Sequence, residues 1–197
     1  KDLGLKKING KSLSYNNYND IFSALDILHS TKKTPTTVVI KHANPCGVCS
    51  NISAIISFKN AFASDPISAF GGVVACNFKI NKTLAMELNN IFLEVVIANG
   101  FDSAALTILK RKKNLRLIDA TNFIIEDLVR FNSANESILA QSEDIKKFNI
   151  KDFKIVSKIK PNRSQLKNLL FAFNICRYVK SNAIVLASQE ATVGIGS

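Results

Sequence analysis

Nowhere in the 197 residues does an apolar run approach the roughly 18–20 needed to span a bilayer, so no membrane helix is expected. The opening residues, Lys1 to Lys7, are polar and hold no continuous apolar segment, so no signal peptide is visible. There is no initiating Met, and the chain stops at Gly194-Ile195-Gly196-Ser197 without a closing element. We therefore expect a portion of a longer protein. Four cysteines, Cys46, Cys49, Cys76 and Cys176, are too few and too irregularly spaced for a secreted disulfide scaffold. A reducing, cytoplasmic setting follows as the expectation. A basic and aromatic platform for nucleic acid is also missing: the net charge is +11, but the basic residues are scattered, as at Lys32, Lys59, Lys82 and Lys146. Only Lys110 to Lys113, with Arg116 beyond, forms a run. It reads as a solvated turn between a helix and a strand in preference to a nucleic-acid patch, while the net charge favours anionic partners.

What is present is a globular composition, 47% apolar with interspersed charge, long enough for one substantial core or two small ones. The organising stretch is Thr36 to Val48, T-T-V-V-I-K-H-A-N-P-C-G-V. Its β-branched opening, Thr36 to Ile40, predicts a buried strand. Lys41 and His42 stand where the apolar run stops, and Asn44-Pro45 with Gly47 predicts an exit from the strand. Neighbours on a strand face opposite ways, so both can line one cleft only if the strand has already ended.

Helix spacing appears over Tyr18 to Leu28, with His29 as a surface cap residue. Ser50 and Asn51 offer an N-cap, followed by an apolar stripe of Ile52, Ile55, Ile56 and Phe62 to about Ala63. Ser68-Ala69-Phe70-Gly71-Gly72 is a glycine pair that permits close backbone approach, before a short strand over Val73 to Cys76. Helices over Thr83 to Asn90 and Ser103 to Lys110 alternate with strands over Glu94 to Ala98 and Asn114 to Ile118. That alternation predicts an α/β fold with βαβ units. Glu94, at the mouth of an apolar strand, suits an edge or a site equally. The pattern weakens over Asp119 to Asp152, and Lys154 to Ile159 reads as a half-exposed strand. Asn162 with Gln165 opens a helix to about Val179, and Ala183 to Ala187 reads as a buried strand. Asn182 falls at that junction, where capping is the simpler role.

Pro45-Cys46-Gly47-Val48-Cys49 supplies the P-C-x-x-C half of a zinc deaminase signature, but the H-x-E half is missing: His29 is followed by Ser30 and Thr31. Cys46 acting as a nucleophile with His42 is conceivable, although adjacency in sequence does not position a base. Lys41-His42 suits another task. A histidine can accept a proton near neutral pH, and a cation beside it can stabilise the negative charge of a tetrahedral intermediate. Acyl or formyl transfer fits that pairing.

Four segments then resemble a known family in order and spacing. They are V-V-I-K-H-A-N-P-C-G-V at 38–48, D-P-I-S-A-F-G-G-V-V-A at 65–75, E-V-V-I-A at 94–98, and K-S-N-A-I-V with T-V-G-I-G within 180–196. The resemblance is to the transformylase half of the AICAR transformylase/IMP cyclohydrolase family, and G-K-S-L-S-Y-N-N at 10–17 is similar to its first transformylase segment. The resemblance implies a cytidine-deaminase-like three-layer α/β/α fold with a mixed, mainly parallel sheet. It also implies formyl transfer from 10-formyltetrahydrofolate, a co-substrate, to the 5-amino group of aminoimidazole carboxamide ribonucleotide (AICAR), in purine biosynthesis and without a metal. By the same resemblance His42 matches the proton acceptor, Lys41 the group that stabilises the transition state, and Asn182 the asparagine that orients the amine. Asn16, Phe70, Gly71 and Glu94 match substrate-binding positions. P-C-x-x-C becomes an echo of shared architecture, with Cys49 incidental.

The resemblance implies a partial transformylase domain over 1–197: a first deaminase-like subdomain at about 10–120, a less regular connection at about 120–152, and the start of a further segment at about 153–197. The family's preceding cyclohydrolase domain, its R-Y-G-x-N-P-H-Q segment and its second half, with S-D-A-F-F-P-F, are expected to be absent. The 197 residues alone are then expected to carry the Lys-His pair without completing the site, which relatives build across a homodimer. Two other readings stay open: a non-catalytic nucleotide- or folate-binding remnant and a zinc-dependent deaminase.

Overall fold

The computed structural model describes residues 4–31, 34–124, 129–142, 144, 146 and 148–197. Positions 1–3, part of the polar opening, Lys32 of the scattered basic residues, and positions 125–128, 143, 145 and 147 of the expected connection lie outside the described residues. The chain divides into two compact units, one of Lys1–Phe123 with Pro161–Ser197 and one of Ile124–Lys160.

In the first unit the described residues form an eight-stranded sheet. Its strands are β1 (Lys6–Asn9), β2 (Thr36–Lys41), β3 (Asn44–Ser50), β4 (Val73–Cys76), β5 (Val95–Ala98), β6 (Arg116–Asp119), β9 (Ile184–Ser188) and β10 (Ala191–Gly196), in spatial order β1-β6-β5-β4-β2-β3-β10-β9. The helices are α1 (Tyr15–Ser30), α2 (Ala54–Ala63), α3 (Lys82–Asn89), α4 (Ser103–Leu109) and α5 (Arg163–Cys176). Every residue of β4 and β5 is buried, which is why V-V-A-C and V-V-I-A read as continuous apolar runs rather than alternating ones.

Alternate residues feed two separate cores. Val38, Ile40, Val73, Ala75, Val95 and Ile97 pack with Ile21, Leu25 and Leu28 of α1 and with Phe171 and Ile175 of α5. Val39, Val74, Cys76, Val96, Ala98 and Leu117 pack with Phe58 of α2, Leu84 and Leu88 of α3 and Leu109 of α4. The unit is thus an α/β/α sandwich. Each fully buried Ile or Leu in it stabilises by about 1.5–3 kcal/mol.

The sheet is mixed, but among the described residues parallel pairing between its named strands is confined to β4–β5 and β5–β6, apart from an isolated parallel bridge between Ile80 and Phe101. The other neighbours are antiparallel, because β2 and β3 form a hairpin, β9 and β10 form another, and β1 adds to β6. This hairpin corrects the reading of Asn44-Pro45 as an exit: the chain does leave β2 after Lys41, yet it turns back as β3 and stays in the sheet to Ser50. Pro45 is tolerated beside a register shift between Val39 and Ile40, where the ladder is irregular. That irregularity leaves Cys46 and Cys49, three apart, in the same core under α2. Gly47 lies between them, and a Cβ there would stand 1.9 Å from the Ala61 carbonyl oxygen.

Because β3 runs through Ser50, α2 starts late, with Ser53 at its N-cap, and Ile52 is exposed rather than part of the stripe. The strand expected over Ala183 to Ala187 forms as Ile184–Ser188, with alternating rather than complete burial, because it is the sheet's edge. β1 was hidden in a polar segment: K-K-I-N has no apolar pattern, and Asn9 Nδ2 anchors it by donating to the Lys112 and Leu115 carbonyls at 3.2 and 2.8 Å. Lys110–Lys113 is the expected turn between α4 and β6, where Lys112 Nζ donates to the Ile91 carbonyl at 2.7 Å.

The second unit contains a hairpin of β7 (Val129–Ala134) and β8 (Ser137–Ser142) and a short 3-10 turn at Ile150–Asp152. The strand expected over Lys154 to Ile159 does not form; alternation supplies a face but no pairing edge, and those residues carry no ladder.

Candidate active site

The site begins with the β2–β3 hairpin. Lys41 pairs with Asn44, so the connection is the two residues His42 and Ala43, with φ of 56° and 58°. Two left-handed residues are what the twist of a two-residue hairpin requires, and Asn-Gly supplies them at least cost. Histidine and alanine pay roughly 1–2 kcal/mol each for the same backbone. Hydrogen bonds from two other segments hold the turn. Ala43 N–H donates to Asp20 Oδ1 of α1 at 2.6 Å, and Lys180 Nζ, beyond α5, donates to the His42 carbonyl at 2.7 Å. The Lys180 N–H also donates to Asn44 Oδ1 at 3.1 Å.

Lys41 and His42 both line an open cleft of about 400 Å³, with Asn44, Pro45, Cys46, Asp65, Ser68, Ile195 and Ser197. Hydrogen bonds from the Ser68 hydroxyl and the Ser68 amide hold the Asp65 carboxyl below its usual range, so the cleft carries a fixed negative charge on that side. Burial, aided by the charge of Asp65, pushes the Cys46 thiol up to about 11. Burial also pushes Cys49 up to about 11 and Cys76 up to about 12. These thiols stay protonated at neutral pH, which leaves Cys46 a poor nucleophile. Among the described residues no three of His, Cys, Asp or Glu gather as a metal-ligand group.

A second cluster adjoins the first through Lys41, whose Nζ donates to the Phe70 carbonyl at 2.6 Å. Since β2 is antiparallel to β4, the end of β2 meets the beginnings of β4 and β5. The residues just before those two strands are the glycine pair and Glu94. Gly72 has no room for a side chain, because a Cβ would lie 2.7 Å from the Ile40 carbonyl oxygen; Gly71 has φ of 70° and donates its N–H to the Phe92 carbonyl at 2.9 Å. Phe70 and Phe92 face each other with centroids 5.0 Å apart, and both are exposed. Glu94 Oε2 accepts from Asn17 Nδ2 at 2.9 Å and lies 3.8 Å from Arg116 Nη1. Arg116 Nε donates to the Ser12 carbonyl at 2.9 Å.

Of the expected residues, Lys41, His42, Phe70, Gly71 and Glu94 therefore come to one end of the sheet. Asn182 is exposed at the start of the β9 hairpin, two residues past Lys180, and follows a cis peptide from Ser181. Asn16 is exposed in the first turn of α1, while its neighbour Asn17 is the buried residue that reaches Glu94. Sequence reasoning missed Asn17, Asp20, Arg116 and Lys180. Two signals were available. Ser14-x-x-Asn17 has capping-box spacing, and the box forms. Asn17 and Asp20 also fall on the stripe continued by Ile21, Ala24 and Leu28, where a polar side chain will be buried and must find a partner.

Residues 2–197 match the family described as AICARFT/IMPCHase bienzyme. The chain belongs to that family. It is 42% identical over 192 residues to the bifunctional purine biosynthesis protein PurH of Caldicellulosiruptor saccharolyticus, covering 97% of this chain and 37% of the relative. It is 39% identical over 194 residues to the PurH of Acetivibrio thermocellus, covering 97% and 38%. It is 43% identical over 195 residues to the PurH of Rhodospirillum rubrum, covering 98% and 37%. The chain thus spans little more than a third of the length of these relatives. Among the described residues no helix is long and apolar enough to cross a membrane.

Proposed function

We propose that this chain supplies the catalytic edge of an AICAR formyltransferase, which moves a formyl group from 10-formyltetrahydrofolate to the 5-amino group of AICAR. The amine is conjugated with the ring's carboxamide and is a weak nucleophile, so it needs help. His42 takes the proton as the amine nitrogen attacks the formyl carbon. Lys41 stabilises the oxyanion of the tetrahedral adduct. Collapse of the adduct breaks the bond to the folate nitrogen, which leaves carrying the proton that His42 gives back. Asn182 orients the amine, Asn16, Gly71 and Glu94 bind the nucleotide, and Phe70 contacts substrate.

The observation that carries this reading is that Lys41 and His42, consecutive in sequence, both line one cleft from a tight hairpin. The +11 charge suits two anionic substrates. The relatives' name, bifunctional purine biosynthesis protein, supports a place in purine biosynthesis, with IMP cyclohydrolase activity carried elsewhere in the complete protein. A cytidine-deaminase-like ancestry of the sandwich, the expected division near 120 and 152, a cytoplasmic location and assembly as a homodimer belong to the same proposal; free Cys46, Cys49, Cys76 and Cys176 support the location.

The test is a hybrid in which residues 2–197 replace the matching region of the Rhodospirillum rubrum relative. Formyl transfer to AICAR supports the proposal. A folded hybrid that binds AICAR and the folate without turnover assigns this chain to binding alone.

A further inference from the structure

The peptide that joins His42 to Ala43 is held at both poles by opposite charges. Its N–H donates to the Asp20 carboxylate at 2.6 Å, and its carbonyl accepts from the Lys180 ammonium at 2.7 Å. Each charge sits at the end of the peptide dipole that it favours, and such charge-assisted bonds are about twice as strong as neutral ones. Asp20 is buried on α1, whereas Lys180 is exposed in the connection between α5 and β9. Three segments far apart in sequence therefore converge on one peptide bond.

The hairpin's own pairing between Lys41 and Asn44 calls for neither residue. What calls for them is the backbone of the turn. His42 and Ala43 are both left-handed, at 56° and 58°, a conformation that L side chains disfavour. A strained turn persists only when its surroundings over-determine it. Asp20 and Lys180 are those surroundings, and the residue that they fix in place is the one whose ring must meet a proton to within a fraction of an ångström.

We propose that Asp20 and Lys180 are positioning residues, which hold His42 in its working place through the His42–Ala43 peptide rather than by touching substrate. The role of His42 rests on the proposed function; the grip on the peptide does not.

Two measurements test this. In the hybrid, Lys180→Met is expected to lower kcat about tenfold or more with the KM values for AICAR and the folate unchanged, since misplacement by about 1 Å can cost on the order of 10²-fold. Lys180→Arg, which keeps a cationic donor, restores part of the loss, as does adding Ala43→Gly to Lys180→Met, because glycine adopts the turn without strain. In the 197-residue chain itself, hydrogen exchange at the Ala43 amide is expected to quicken about tenfold in Lys180→Met. Asp20→Asn, which keeps an acceptor but loses the charge, gives a smaller change of the same kind. A raised KM with kcat intact would overturn the proposal and make Lys180 a substrate contact. Unchanged exchange at Ala43 would also overturn it. If the unmodified hybrid transfers no formyl group, the proposed function fails, while the exchange comparison still decides whether Lys180 holds the turn.

Discussion

Asn17 and Glu94, 77 residues apart, meet through a hydrogen bond from Asn17 Nδ2 to Glu94 Oε2 at 2.9 Å. Asn17 is buried and also closes the capping box with Ser14, so one side chain both starts α1 and fixes a half-exposed carboxylate at the mouth of β5. A carboxylate held in this way has lone pairs left over, which suits hydroxyl donors such as those of a ribose.

Glu94→Gln keeps the shape and removes the charge. We expect AICAR affinity in the hybrid, measured by calorimetry, to fall about tenfold, the scale of one hydrogen bond to a charged group. Asn17→Ala, which frees that carboxylate, should in addition cost stability, about 1 kcal/mol from the missing cap in urea unfolding.

Lys41→Met removes the ammonium that we propose stabilises the oxyanion. An expected kcat loss of about 10²–10³-fold matches the removal of one preorganised oxyanion donor. Its other partner is the Phe70 carbonyl at the exposed cleft edge, where water can replace it, so the unfolding midpoint should hardly move.

Gly47→Ala is expected to be the most damaging small substitution in the hairpin. The added Cβ would lie 1.9 Å from the Ala61 carbonyl oxygen, and neither β3 nor α2 can yield without parting from the other. A loss of about 3 kcal/mol or more should appear in denaturant unfolding.

Alkaline pH should destabilise the protein through its buried thiols. Cys46 and Cys49 are pushed up to about 11 and Cys76 to about 12, against an ordinary value of 9.0. Above pH 9 the unfolded chain releases these protons while the folded one keeps them, so the stabilisation is complete below 9 and is lost as pH rises toward 11–12. Each thiol contributes a fall on the order of 1 kcal/mol by pH 10. Urea midpoints at pH 8 and 10, with and without Cys76→Ala, would measure it, and all three thiols should resist alkylation at pH 8 until the chain unfolds.

Most of the sandwich could be read from the sequence, because burial on both faces leaves unbroken runs such as Val95–Ala98, and because Asn162 with Gln165 announces α5 by a capping box that does form. β3 could not. Its turn uses His42 and Ala43 where a hairpin signal would be Asn-Gly, and Pro45 and Gly47 looked like breakers when they mark a register shift and a close helix contact. The same substitution of chemistry for good turn residues is what brings Lys41 and His42 to one cleft. The Lys-His pair was visible as a motif; of its supports, Asp20 was signalled only by its place on the buried stripe of α1, and Lys180 not at all, since a hydrogen bond to a backbone peptide leaves no pattern in sequence.

The most direct measurement is formyl transfer by the hybrid with His42→Ala. Loss of about 10²–10⁴-fold in kcat, with AICAR still bound, is the result predicted for a general base. Unchanged turnover would remove His42 from the chemistry and contradict the account.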